Sequence, residues 1–257
     1  MSVPQDPVAG SGPCLVLEGV SMAFGGLHAI RDLSLVVYPG DRKGILGPNG
    51  AGKTTLFNLV TGIYSPTEGR IVLFGKDISR WPSHRRAALG MARTFQITNL
   101  FPKLSVLDNV LLAVQGLRPM KYAMWRFQSS YTAVQRKARE LLESTGFWDR
   151  REAQVRHLSH GEQRQIEIVL ALASDPKLLL LDEPVAGLSA AESKAMGEFL
   201  HRLDPGLALL LIEHDMDVAF SVASSIAVLH SGELVEEGTP AQIRRSERVR
   251  ELYLGTA

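Results

Sequence analysis

Apolar residues recur along the chain in two rhythms, one continuous and short, the other helical. Strand-like runs stand at "CLVLEGVSMAF", "LSLVVY" and "RKGILG", rich in Val, Leu and Ile and bounded by glycines. A helix is predicted over "KTTLFNLVTGI" and a strand over "GRIVLFG". Between Gln96 and Ser174 the pattern turns mostly helical, most clearly in "VLDNVLLAV" and "YTAVQRKARELLEST". In the second, Tyr131, Val134, Ala138, Leu141, Leu142 and Thr145 share one helical face, leaving Arg136, Lys137 and Glu140 outward. Strand and helix then alternate again through "KLLLLD", "AESKAMGEFLHRL", "LALLLIEH", "MDVAFSVA" and "SIAVLHSGELVEEG". Unbroken apolar strands separated by helices mean a sheet buried on both faces and mostly parallel. The expected fold is therefore an α/β core interrupted by a helical insert.

Composition narrows the setting. The 257 residues are 45% hydrophobic and 21% charged, with a formal net charge of +1. That is a globular profile, and it offers no electrostatic case for nucleic acid or anionic lipid as the main partner. The single cysteine, Cys14, excludes a disulfide within the chain and fits a reducing compartment. The longest apolar runs, Ile168–Ala173 and Leu207–Ile212, fall far short of the ~20 residues of a membrane-spanning helix. The opening "MSVPQDPVAGSGP" lacks a basic start and an apolar core, and reads as a loose tail over residues 1–13 rather than a secretion signal. A cytoplasmic protein is expected.

The chemistry begins at "GPNGAGKT". Gly47, Pro48, Asn49, Gly50, Ala51, Gly52, Lys53 and Thr54 fit the strand–GxxxxGK[ST]–helix pattern, with "RKGIL" before and "TTLFNLV", starting at Thr54 and Thr55, after. Glycines let backbone N–H groups curl around an anion, and the new helix adds its positive end. Lys53 is placed to neutralise β and γ phosphates, and the Thr54 hydroxyl to ligate Mg²⁺. The apolar strand "LLLLDEP" delivers Asp182 and Glu183 at its carboxyl end, where α/β sheets bind ligands. Asp182 suits the metal, through water, and Glu183 suits the attacking water. Together these imply an NTPase. A GTPase would carry an N-K-x-D base reader, which is absent; a small-molecule kinase stays open at this point.

In order, "GPNGAGKTT", Gln96 in "ARTFQ", "LSHGEQ", "LLLLDEP", "AGLS" and His214 in "IEHD" resemble the ATP-binding subunit of ABC transporters, from about Leu15 to the end. "LFPKLSVLDNV", "EIVLALASDPKLLLLDEPVAGLS", "LIEHDM" and "YLG" look most like the ATPases of branched-chain (hydrophobic) amino-acid importers. The resemblance implies a P-loop NTPase (RecA-like) core with a mostly parallel sheet, an N-terminal antiparallel β portion and an inserted α-helical subdomain. One domain over 14–257 would consist of a core from 14–96 and 175–257 and a helical part from 97–174. It implies ATP and Mg²⁺ as cofactors, with Gln96 reaching the metal and the water, and His214 contacting the γ-phosphate. Phe24 would stack on adenine. Thr55 belongs to the phosphate loop.

"LSHGEQ" carries the rest of the implication. Two ATPase subunits, identical or paralogous, would pack head to tail, so that Ser159 and the N–H groups of His160 and Gly161 meet the γ-phosphate held by the partner. A helix N-terminus beside a serine is an anion receptor. Ser159 is equally a good N-cap, with Glu162 completing a capping box, and the two roles are compatible. Two positions depart from the family pattern, which has glycine where His160 stands and glutamine where Glu162 stands. Glu162 would turn away from phosphate, towards a base such as Arg164. Ser189 replaces the aspartate common after "AGL". Leu100, Phe101 and Leu104 either dock a helix of a permease or pack within the helical part, and "GLRPMKYAMWRFQSS", with Trp125 and Phe127, resembles an insert of one of two paralogous importer ATPases. The implied partners are a second ATPase, two membrane permeases and, indirectly, a periplasmic binding protein, at the cytoplasmic face of a prokaryotic inner membrane. The competing readings are an exporter or lipopolysaccharide-transport ATPase and a soluble ABC machine.

Overall fold

The computed structural model describes residues 12–94, 100–116 and 127–254. Gln96, Trp125 and the proposed tail up to Ser11 lie outside the described residues, as does the side chain of Phe127. Two sheets form. In the first, β1 (Leu15–Phe24), β2 (Leu27–Val37), β4 (Glu68–Leu73) and β5 (Lys76–Asp77) pair in the order β2-β1-β4-β5, all antiparallel. This is the expected N-terminal antiparallel portion.

The second sheet carries the site. β3 (Arg42–Leu46), β6 (Met91–Arg93), β7 (Leu178–Asp182), β8 (Ala208–Ile212), β9 (Ser225–His230) and β10 (Glu233–Gly238) run in the order β10-β9-β3-β8-β7-β6. Pairing is parallel from β9 to β6, with Ile45 opposite Ile212 and Leu180 opposite Leu210. Every residue of β7 and β8 is buried. Their alternate side chains serve two different cores. Leu178, Leu180, Leu210 and Ile212 face α1 (Lys53–Thr61) and the antiparallel sheet, whereas Leu179, Leu181, Leu209 and Leu211 face the helical part. A strand with apolar neighbours on both faces needs no polar alternation, which is why the two read as solid leucine runs.

The edge departs from the expected alternation. "SIAVLHSGELVEEG" is an antiparallel hairpin, not a further strand–helix unit, with Ser231 at φ 48° and Gly232 at φ 84° between His230 and Glu233. Two successive positive φ values match the twist of a tight hairpin, and Ser-Gly was the signal for it.

Between β6 and β7 run α3 (Val106–Gly116), α4 (Phe127–Thr145) and α5 (His160–Leu172). After β7 come α6 (Ala190–Arg202), α7 (Met216–Val222), α8 (Pro240–Arg245) and α9 (Glu247–Leu254). A short helix absent from the pattern reading, α2 (Ser83–Ala88), brings the fully buried Arg86 beneath the end of α1. Its guanidinium donates to the carbonyls of Leu59 at 2.6 Å, Val60 at 2.9 Å and Trp81 at 2.8 Å. The first two close the carbonyl end of α1, the helix that follows β3, and the cation sits at its negative pole. Among the described residues no helix is long and apolar enough to cross a membrane.

Candidate functional site

Strand order decides what meets. β8 lies between β3 and β7, so the carboxyl ends of three adjacent parallel strands deliver Gly47, His214 and Asp182–Glu183 to one crevice. That crevice is a cavity of about 390 Å³ lined by Gly47, Pro48, Asn49, Glu183, His214 and Tyr253.

The phosphate loop is shaped by contacts as well as by flexibility. Gly52 has φ 101°, and a Cβ there would stand 2.6 Å from the carbonyl of Ala29. No side chain caps α1, so its first N–H groups are left for an anion. Lys53, 6% exposed, folds back over the loop, and its ammonium donates to the carbonyls of Gly47 at 2.6 Å and Pro48 at 3.1 Å. Burial draws its pKa down, while the charges of Glu183 and Asp182 push it up. Thr54 is exposed and Thr55 half-buried on the first turn.

Glu183 stands at φ 48°, a strained value for a side chain with a Cβ, and its N–H donates to the carbonyl of Ile212 at 3.0 Å. Its carboxylate lies 3.5 Å from His214 Nδ1. The two therefore form a pair across β7 and β8, an arrangement suited to holding a water and a phosphate together.

Asp182 is 6% exposed and tied to a residue that pattern reading passed over. Arg93, at the end of β6, donates to Asp182 Oδ2 at 2.7 Å and to Asn58 Oδ1 at 2.8 Å, and its guanidinium lies over the Phe57 ring. The signal was present as the basic residue of "ARTFQ". No cluster of three or more His, Cys, Asp or Glu side chains gathers among the described residues. The Thr54 hydroxyl on the first turn of α1 and the Asp182 carboxylate at the end of β7 are oxygen donors of the kind Mg²⁺ takes, an ion that keeps waters and phosphate oxygens as most of its ligands.

Ser159, His160 and Gly161 do not line this cavity. Ser159 caps α5 in a complete capping box: its hydroxyl accepts from the Glu162 N–H at 3.2 Å, and Glu162 Oε2 accepts from the Ser159 N–H at 2.8 Å. The base that Glu162 meets is Arg150, at 3.0 Å; Arg164, named from the sequence, pairs with Glu167 at 2.9 Å instead. Spacing along α5 explains the correction, since positions 162 and 164 are two apart and point to different faces. Ser189, in place of the family's aspartate, caps α6 with Glu192 as its box partner. Glu192 also accepts from the N–H of Gly161.

Phe24 is 43% exposed at the end of β1 and meets Tyr64 edge to face, at 5.2 Å between centroids. It presents a free aromatic face rather than filling a core. Phe101 is 56% exposed, while Leu100 is partly buried against the helical core and Leu104 is half-buried. The buried Asn109 holds that turn by accepting from the Phe101 N–H at 2.8 Å.

Comparison with known proteins agrees with this geometry. A sequence model of the ABC transporter family matches residues 30–186, and one described as branched-chain amino acid ATP-binding cassette transporter matches residues 233–257. The chain is 37% identical over 254 residues to the high-affinity branched-chain amino acid transport ATP-binding protein LivG of Escherichia coli (strain K12), covering 96% of this chain and all of that one. It is 36% identical over 246 residues to the lipopolysaccharide export system ATP-binding protein LptB of the same strain, covering 94% and 97%. The crystal structure of the ADP conformation of MJ1267, an ATP-binding cassette of an ABC transporter, superposes with a TM-score of 0.83 at 28% identity, covering 95% of this chain and 100% of that one. The phosphate loop, the acidic strand end and the full-length similarity lead to one conclusion: the chain belongs to the ABC transporter family, as its nucleotide-binding ATPase subunit.

Proposed function

We propose that this chain powers import of branched-chain or related amino acids, by closing around ATP as one half of a dimer and reopening on hydrolysis. The observation that carries the reading is the convergence of Gly47–Asn49, Glu183 and His214 on one cavity, in a chain similar to LivG from end to end. The match of residues 233–257 to the branched-chain amino acid cassette model favours import. A second reading, export in the manner of LptB, is supported by an identity nearly as high.

In the proposed site the loop N–H groups and Lys53 hold the β and γ phosphates and Phe24 stacks on the base, while Thr54, Asp182 and Gln96 would hold Mg²⁺. Bound there, Mg²⁺ would neutralise charge on the phosphates. Glu183 orients and accepts the proton of the attacking water, and His214 holds the γ-phosphate opposite it. Ser159, His160 and Gly161 act on the partner's nucleotide. The relevant partner is an identical or paralogous cassette; a dimeric ATP-binding cassette, MJ0796 bound to ADP and Pi, superposes with a TM-score of 0.69 at 25% identity, covering 88% of this chain and 98% of that one. Two permeases would tether the dimer to the cytoplasmic face of the membrane, with a periplasmic binding protein delivering solute.

Uptake of labelled leucine into vesicles tests the assignment, using permeases co-produced with this chain. ATP-dependent accumulation lost in Lys53→Ala is expected. Membrane association without any amino-acid uptake, together with lipopolysaccharide-dependent ATPase stimulation, would favour export instead.

A further inference from the structure

The cavity at the phosphate loop has a wall from the closing "YLG", a phrase to which the sequence reading gave no role in the site. Tyr253, on the last turn of α9, lines it together with Gly47, Pro48, Asn49, Glu183 and His214. The chain reaches this spot by burying the same face of α9 one turn earlier. Val249, 3% exposed, packs with Leu46, the last residue before the loop, with Ala219 on α7, and with Val228 on β9. One short helix thus touches the strand that launches the phosphate loop and the helix that begins two residues after His214.

The Tyr253 hydroxyl is shut off from solvent, and the Gly47 N–H bears on it from just outside full hydrogen-bond geometry. Burial raises the phenol's pKa, and the Gly47 N–H opposes that rise. The group therefore stays protonated at neutral pH, its oxygen turned as an acceptor to the N–H of the first residue of the loop. A buried phenol without an acceptor carries a desolvation cost, and such groups are kept where they have something to hold.

We propose that Tyr253 is a positioning residue of the hydrolysis site, setting the Gly47–Asn49 stretch against the Glu183–His214 pair. This rests on the assignment of that cavity to ATP hydrolysis. The ring supplies the wall, which fixes how far the loop can withdraw from Glu183. The hydroxyl supplies the polar contact that the first glycine of the loop lacks a side chain to make. Nucleotide is held mainly by Lys53 and the α1 N-terminus, so Tyr253 bears on the distance between phosphate and Glu183 more than on affinity.

The test uses the purified full-length chain, with steady-state MgATP hydrolysis and thermal unfolding measured on the same samples. Tyr253→Phe removes one oxygen and keeps the ring. Its kcat should fall about three- to tenfold, the worth of one hydrogen bond, with KM for MgATP within about twofold of the parent. Val249→Ala loosens α9 without reaching the cavity; it should lower the unfolding temperature while leaving kcat per folded molecule within about twofold. A Tyr253→Phe enzyme with parental kcat overturns the proposal. So does an equal kcat loss in Val249→Ala at a temperature where both are folded, because α9 would then be only a prop. Lys53→Ala and Glu183→Gln run alongside separate the two layers of argument. If those two remain active, the site assignment itself falls, and the role of Tyr253 with it; if they are inactive while Tyr253→Phe is unimpaired, only the role of Tyr253 falls.

Discussion

Gly161 donates its backbone N–H to Glu192 Oε1 at 3.0 Å, so the start of α5 already carries a carboxylate. The contact is tight, since a Cβ on Gly161 would stand 3.0 Å from the Glu192 Cβ. The N–H groups of Gly161 and Ser189, with the Ser189 hydroxyl, hold the Glu192 carboxyl down to about 2. It is therefore ionised at any working pH, and it occupies the donor that the proposed dimer offers to the partner's γ-phosphate. Closure then exchanges one anion for another at the same N–H. Glu192→Ala should strengthen ATP-driven association in a Glu183→Gln background by roughly threefold or more, the order of one exposed charge-assisted hydrogen bond. Sedimentation velocity with MgATP reads this directly. Weaker association in Glu192→Ala would show instead that the carboxylate braces α5 for the partner.

Glu183→Gln keeps the shape of the side chain and removes its basicity. ATP binding should persist while hydrolysis falls by about 10²–10⁴-fold. The same variant should elute as a dimer with ATP and Mg²⁺. Elution as a monomer over a range of protein concentrations would count against the sandwich.

Arg93 and Asp182 form an ion pair whose side chains are 8% and 6% exposed. Removing one partner strands the other charge in a poorly solvated place. Arg93→Met should cost about 3–5 kcal/mol of stability in urea unfolding, and replacing Asp182 by Asn in the same chain should return much of that loss. A single-variant cost below about 1 kcal/mol would mean that water reaches Asp182 and the pair is not structural.

Glu213 is fully buried just before His214, and loss of solvent pushes its carboxyl from 4.5 up to about 8. The like charges of Glu183 and Asp215 push the same way, while the Val185 N–H, donating to its Oε1 at 3.3 Å, works against the shift. Folded protein therefore holds a proton that unfolded chain releases between those two values. Stability contributed by this group is greatest below about pH 4.5 and declines as pH rises towards about 8. Glu213→Gln should raise the unfolding temperature at pH 8 by at least ~2 °C and leave it close to the parent at pH 5. An equal shift at both pH values would assign the effect to packing.

Much of this molecule follows from local rules alone. Runs such as "KLLLLD" and "LALLLIEH" became β7 and β8 because an unbroken apolar run of this length fits a strand with apolar contact on both faces. The phosphate loop was legible because its glycines, lysine and threonine fall within eight residues, and so was the cap Ser159, whose partner lies three residues on; the equivalent cap at Ser189 was not singled out. Residues whose partners are distant in the chain were not. Arg93 meets Asp182 only after β6 joins the edge of the sheet beside β7, Glu192 meets Gly161 only when α5 and α6 pack side by side, and Tyr253 reaches Gly47 only because α9 folds back over β3. Sequence patterning reports which face of an element is apolar, whereas strand order and helix packing decide which polar groups come within 3 Å of each other; those contacts close long loops, and no short-range spacing encodes them.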